Sequence, residues 1–418
     1  MSSAAETMSP DAPVPSGRSD FRVIGLIGWA HFTSHFFQMV LPTLFFILKD
    51  ALNVGYTELG LLLTVFYGVS GIGQTFAGFA VDRFGARAVL VGGLTLLSAA
   101  MLSISFASNY WMVLALMPLA GLGNCVFHPA DYSILSASVS PPRMGRAFSA
   151  HAFGGTLGHV AAPLTMLGLI ALVGWRHALG VVACYGLAAA LVVYLHRGTL
   201  REDRLTAGAA ARQPAAAGAT AQLLLSAPIL MCFAYFTFLA MAGNALQGFL
   251  APSMFEMHGI PIAAGLSALT GYLMGQACGI VAGGYTADRF RRHDLLVAIG
   301  LIGSSSLIVT AGLTAETPLA LTVLLALAGF MAGSAQASRD MLVRSATPKG
   351  SSGKVFGFVY SGLDLGSTFS PFISGYLLDH GMPMAVIFLI AAGQLLAMST
   401  AIGLGRRRAR VPVPALAE

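Results

Sequence analysis

Ionisable side chains stand at a few places inside otherwise apolar stretches of this chain, and each place suggests a chemistry. His31 and His35 are four residues apart and Gln38 follows one turn later, so on a helix they share a face able to bind a solute or relay protons. His128 and Asp131 fall in "NCVFHPADYSILSA", residues 124–137. Arg339 and Asp340 fall in "SAQASRDML", residues 334–342, and Asp364 in "SGLDLG", residues 361–366. Such groups can transfer protons, pair as ions or hold a charged solute. Two histidines lack the third ligand a metal site needs, so no metal is expected. No nucleophile and base stand at a catalytic spacing, and no phosphate-cradling glycine loop occurs. Neither an enzyme, a cofactor nor direct drive by ATP is therefore expected. His151 and His159, eight residues apart, share a helix side only loosely.

Composition decides what surrounds these groups. Of 418 residues, 56% are hydrophobic and 10% charged, and the mean hydropathy is +0.76. A soluble domain carries about 25% charged residues, so this chain lacks a water-facing surface. It divides instead into about twelve apolar runs, near 22–46, 58–80, 88–107, 111–136, 147–173, 177–196, 222–250, 263–286, 295–313, 318–343, 354–378 and 383–405. Each is roughly 20 residues long, enough to cross a hydrocarbon layer about 30 Å thick. Ala, Leu and Gly with scattered Pro predict packed helices rather than barrel strands. An ionisable group at that depth is expensive to keep, which favours a functional role over plain packing.

With the N-terminus inside, only Lys49 and Arg176 fall in outer segments, so the positive-inside rule predicts both termini inside. The net charge of +6 is then a sign of topology and not of nucleic-acid binding. Residues 1–20 have neither an apolar core nor a cleavage pattern and are expected to form a disordered cytoplasmic leader. Residues 21–196 form a first half of six helices, 197–221 a cytoplasmic linker, 222–405 a second six-helix half and 406–418 a basic tail. Cys125, Cys184, Cys232 and Cys278 are isolated within apolar runs and predict no disulfide framework.

The two halves repeat one another. "LTVFYGVSGIGQTFAGFAVDRF" (63–84) aligns without a gap with "LTGYLMGQACGIVAGGYTADRF" (269–290). "GRAFSAHAFGGTLGHVAAPL" (145–164) aligns with "GKVFGFVYSGLDLGSTFSPF" (353–372) at a shift of 208, and Pro42 answers Pro252. Parallel half-repeats of this kind predict an all-α membrane transporter with a central site between the halves and access alternating by rocking.

"GFAVDRFGAR" (78–87), between the second and third runs, resembles the loop signature of the major facilitator superfamily, and "GGYTADRFRRH" (283–293) is a weaker copy between the eighth and ninth. The resemblance covers essentially the whole chain. "AHFTSHFFQMVLPTLFFILKD" and "FHPAD" are similar to the fosmidomycin-resistance-type branch. The resemblance implies that Gly78, Asp82, Arg83, Gly85 and Arg87, with Gly284, Asp288 and Arg289, brace the inner side of the outward-open state and release when the halves rock. In that motif Gly78 suits a close helix approach, Gly85 a tight turn, and Asp82 a helix end where it can hold Arg87 or a helix dipole.

In this family the fourth and tenth runs face each other across the cavity, and the repeat shift of 208 makes Asp131 the counterpart of Arg339. The two are expected to meet when the inner gate closes, with His128 and Asp340 as neighbours; a permanent packing pair is the plainer alternative. Asp364 has Thr156 as its counterpart, so symmetry requires no charge there; it is a candidate proton carrier or solute contact, against a simple interhelical hydrogen bond. The face of His31, His35 and Gln38 would line the cavity. Phe66, Tyr67, Tyr235, Phe236 and Tyr360 either line it or pack against helices and lipid. Exporters of the superfamily carry Gly-x-x-x-Gly-Pro-x-x-Gly-Gly on the fifth run; here it reads "GHVAAPLTML" (158–167), and "GSTFSPFISG" (366–375) on the eleventh is a closer echo. The reading is a monomeric secondary active transporter of a small organic solute in a bacterial-type plasma membrane, working as a proton-coupled efflux antiporter. Proton-coupled uptake of a small carboxylate or phosphonate is the alternative, and a receptor or membrane-embedded enzyme the rival of another class.

Overall fold

In a computed structural model, residues 17–140, 143–201, 222–290, 292–347 and 352–409 are described, and within them the chain is helical with no strand. The first half contains α1 (Gly17–Leu52), α2 (Tyr56–Phe84), α3 (Ala86–Ser105), α4 (Tyr110–Asn124), α5 (Phe127–Ser138) and α6 (Met144–Leu195). The second contains α7 (Ala227–His258), α8 (Ile262–Arg289), α9 (His293–Thr314), α10 (Pro318–Ser334), α11 (Gln336–Ala346), α12 (Ser352–Asp379) and α13 (Pro383–Ala409).

Local chemistry sets these boundaries. The Asn109 side chain accepts from the Met112 N–H at the start of α4, and Thr317 accepts from Ala320 at the start of α10. Gly259 ends α7 in the left-handed region at φ 64°. Inside the 52-residue α6, Gly174 takes φ 75° and ψ 162°, so the element is two helices joined at a break. The fourth and tenth apolar runs are also broken, into α4 and α5 and into α10 and α11, at places the repeat makes equivalent. The first break sets His128, Pro129 and Asp131 in the opening turns of α5, where proline's missing N–H is tolerated.

Nine helical stretches among the described residues are long and apolar enough to cross a membrane, or ten when α2, bent by 54° between Gln74 and Phe76, is included. The 50-residue stretch Arg146–Leu195 counts once in that number, and the more polar α12 is not in it.

Packing follows the repeat. In the first half α1 lies against α6 and α3 against α4 and α6; in the second α7 lies against α12 and α13. Between the halves α2 packs on α12 and α8 on α6, an exchange in which each pair is the repeat image of the other. Hydrogen bonds across the halves run along α2 and α12. Asp379 accepts from the Tyr56 and Thr57 N–H groups at 2.8 and 2.6 Å and from the Thr57 hydroxyl at 2.6 Å. Thr64 donates to the Thr368 carbonyl at 2.7 Å, and Gln74 Nε2 to Asp364 at 3.3 Å.

α1 begins at Gly17, inside the stretch 1–20 expected to be a leader. Asp20 is fully buried and accepts from the Ser140 hydroxyl at 2.5 Å and from Arg143 at 2.8 Å, which pins the start of α1 to the turn before α6. Residues 202–221 of the linker lie outside the described residues, as do 1–16 and 410–418; α13 runs on through 406–409.

Candidate functional site

The polar residues singled out in the first half converge. Gly158 on α6 lies against the backbone of Phe32 and Phe36, and a side chain there would force α1 and α6 apart. That close approach puts His151 and His159 of α6 beside His31 and His35 of α1. The His31 and His151 rings stack with centroids 3.6 Å apart, and His31 meets the edge of His35 at 4.4 Å. Asp131 of α5 completes the group: its Oδ2 lies 3.0 Å from His151 Nε2 and 3.4 Å from His31 Nδ1. His128 enters from α5, its ring 5.2 Å from that of His31. One nitrogen each of His31, His128 and His151 lie within 4.8 Å of one another.

A hydrogen-bonded line leads away from this cluster. His35 Nδ1 and His159 Nε2 are 3.0 Å apart, and His159 Nε2 is 3.2 Å from Gln38 Oε1. Gln38 donates to Asn124 at 3.1 Å, and Asn124 to Ser70 at 2.9 Å. His151 and His159 thus belong to the centre, although their loose spacing ranked them second; Asn124 and Ser70 were missed. Their signal was the one His151 also gave, a polar residue inside an apolar run. The ground for expecting no metal also fails, because packing supplies the third nitrogen that spacing on one helix could not.

In the second half, α11 presents Arg339 and Asp340. Arg339 Nε donates to Asp340 Oδ1 at 2.8 Å, and the guanidinium lies 4.9 Å from the centre of the Phe236 ring. Arg339 borders a cavity of about 90 Å³ whose polar lining includes Tyr235, Gln247, Tyr272, Gln276 and Gln336. The glutamines were not anticipated, although each is an amide in an apolar run. Asp131 is therefore bonded within its own half and Arg339 to its chain neighbour; the two are not partners in this conformation.

Asp364 of α12 sits where the halves meet, against Gly71 of α2 and within reach of Gln74, while Gly362 and Gly366 beside it pack on α7 at Thr237. In the loop motif, Gly85 takes φ 89° and ψ 143°, a turn that strains any other residue. The close approach expected at Gly78 is not made in this conformation: among the described residues nothing beyond its own stretch of helix lies within 4 Å of where a Cβ would stand, and Gly284 is equally open. Asp82 is exposed, Arg83 lies over Phe84, Arg289 over Tyr285, and Arg87 donates to the Arg197 carbonyl at 3.0 Å. The Asp288 side chain lies outside the described residues.

A bundle of apolar helices in two repeated halves, with charged side chains at the contact between them and within each half, is the build of a membrane transporter. The sequence model of the Major Facilitator Superfamily matches residues 27–266 and 234–417, and the chain belongs to that family. It is an integral, multi-pass membrane protein and a transporter rather than an enzyme. It is 25% identical over 310 residues to the MFS-type transporter YfnC of Bacillus subtilis (strain 168), covering 74% of each chain. A gallate transporter of Pseudomonas putida is 30% identical over 137 residues, 32% of this chain and 30% of that one. A multidrug resistance protein B homolog of Mycobacterium tuberculosis (strain CDC 1551 / Oshkosh) is 30% identical over 100 residues, 24% of this chain and 18% of its own length. The structure of a bacterial homolog of the human lysosomal transporter Spinster, inward-facing and occupied, superposes with a TM-score of 0.71 at 16% identity, over 94% of this chain and 96% of that one. It shares the fold.

Proposed function

We propose that the protein is a proton-coupled exporter of small organic anions or zwitterions in a bacterial-type plasma membrane, acting as a monomer with both termini inside. The observation that carries the choice of solute is the cavity at Arg339, where a fixed cation is joined by the amides of Gln247, Gln276 and Gln336. A guanidinium with amides and phenols around it offers the donors that a carboxylate or phosphonate needs. Twelve crossings follow if α6 is counted twice about Gly174 and α12 is added to the bent α2 and the other stretches. The domain limits then stand near 21–196 and 222–405.

In this reading Asp364, at the contact of α2 with α12, takes up and releases the coupled proton as the halves part. Asp131 and Arg339, unpaired with each other here, meet when the face bearing the chain termini closes, with His128 and Asp340 beside them. His31, His35 and Gln38 line the solute path in the first half. Gly78, Asp82, Arg83, Gly85 and Arg87, with Gly284, Asp288 and Arg289, steady the closed face. Export is supported by the likeness to the fosmidomycin-resistance-type branch and by relatives described as multidrug resistance proteins. Uptake of a small carboxylate is a second reading, supported by the missing glycines after Pro163 and by the partial match to a gallate transporter.

Protein in liposomes with a trapped pH dye tests this. Candidate phosphonates, carboxylates and lipophilic cations are added outside, one at a time. Lumenal alkalinisation with an anion means that it enters as protons leave, as antiport requires. Acidification means that both enter together, and uptake by symport replaces export. A response to lipophilic cations alone overturns the anionic solute.

A further inference from the structure

We propose that His31, His128, Asp131 and His151 form a binding site for a divalent transition-metal ion of the zinc type. Three helices, α1, α5 and α6, contribute one or two of these groups each, and all four lie in the first half. Zinc-type bonds of about 2.0–2.1 Å in a tetrahedron set neighbouring donor atoms about 3.4 Å apart. Asp131 Oδ2 already stands 3.4 Å from His31 Nδ1 and 3.0 Å from His151 Nε2, and the three imidazole donors lie within 4.8 Å of one another. Modest ring rotations close the remaining distance.

Unsatisfied atoms point the same way. His31 Nδ1, His128 Nδ1 and Asp131 Oδ1 are buried without a hydrogen-bond partner. Three such atoms in one cluster are costly, since each buried polar group left unpaired has given up its hydration without a partner to replace it. A cation shared by them offsets that loss in one step. The donor set, imidazole nitrogens with one carboxylate, suits zinc, cobalt or nickel and not magnesium or calcium, which prefer oxygen alone. His31, Asp131 and His151 are 3%, 0% and 2% exposed, so bulk water does not compete strongly, while the half-buried His128 marks the way in. The inference stands on this cluster alone and depends neither on the organic solute nor on the direction of its transport.

The test uses the full chain in detergent, freed of any polyhistidine tag and stripped of metal, titrated with Co²⁺ alone. The expected result is visible absorption of tetrahedral type that saturates at one ion per chain and is bleached by Zn²⁺. Asp131→Asn and His151→Gln should each weaken binding by more than about tenfold, while His177→Gln, at an exposed position on α6 outside the site, binds as the parent does. His128→Cys guards against variants that fail to fold: it keeps a ligand in place and should add a thiolate-to-cobalt charge-transfer band. No stoichiometric binding by monodisperse parent protein overturns the site, and so does binding unmoved by Asp131→Asn and His151→Gln. Liposomes holding a zinc-sensitive dye then separate two roles. Zinc flux makes the ion cargo, and binding without flux makes it resident. Solute-driven proton movement in protein that binds no Co²⁺ would sink the metal site and leave the proposed transport standing.

Discussion

At the scale of single residues, the second half poses the sharper test of coupling. Among the described residues, Asp364 accepts only from a neutral donor, Gln74 Nε2 at 3.3 Å, in a contact that must open if the halves rock. Asp364→Asn keeps the shape and removes the exchangeable charge. Solute-driven pH change should vanish in that variant while exchange of labelled solute across the bilayer continues. An unaltered dependence on an imposed pH gradient would take Asp364 out of the coupling step. The Asp131–Arg339 gate needs a different design. Exchanging the two charges would put a guanidinium at 131 beside His31 and His151, so failure to rescue would say little about Arg339. A Cys pair at 131 and 339 is cleaner, because a disulfide requires Cα atoms closer than about 7 Å. It should form only when the face bearing the termini closes, and its rate should fall under conditions that hold that face open. Equal rates in both would end the gate reading.

At the scale of helices and turns, the two motif glycines that looked alike in sequence separate. Gly85 holds φ 89°, where a Cβ costs about 1–3 kcal/mol, whereas Gly78 has open space around it. Gly85→Ala should lower the thermal midpoint in detergent, and Gly78→Ala should stay within about 0.5 kcal/mol of the parent. Equal losses in the two would mean that Gly78 finds a partner in another conformation. The same contrast shows what was legible beforehand. Run length, the repeat and the loop motif are properties of one segment at a time, so the apolar runs and their pairing by halves could be read from spacing, but not the breaks that divide the fourth run into α4 and α5 and the tenth into α10 and α11. The joining of His31 to His151, or of Asp20 to Ser140 and Arg143, depends on how far each helix rotates about its axis and how closely Gly158 lets α1 and α6 approach. No periodicity within one helix encodes that. The split of the fourth run was half visible, because Pro129 marks a helix start, yet the same residue also fits a kink in a continuous helix.

At the scale of the whole molecule, one carboxylate holds the two halves together at the end away from the chain termini. Asp379, the last residue of α12, accepts from two N–H groups and the Thr57 hydroxyl at the start of α2. It acts as an N-terminal cap supplied by the other half, where the free N–H groups and the helix dipole favour negative charge. Hydrogen bonds to a charged group contribute about 1.5–3 kcal/mol net. Losing about 2 kcal/mol from one side of a two-state balance moves the ratio of states roughly thirtyfold. Asp379→Ala should therefore raise the share of molecules open at this end without unfolding either half, since the Gly55 N–H still donates to Glu58 Oε2 at 2.9 Å and caps the start of α2. Spin labels at the exposed Ser108 and Glu316, in the turns before α4 and α10 at this same end, report the separation of the halves there. The distance distribution should gain a longer component in Asp379→Ala, and Asp379→Glu should recover part of the short one. A distribution that does not change would mean that the remaining α2–α12 contacts, Thr64 with Thr368 and Gln74 with Asp364, hold the end closed by themselves. The opening of this molecule would then be controlled from mid-membrane, at Asp364, rather than from its rim.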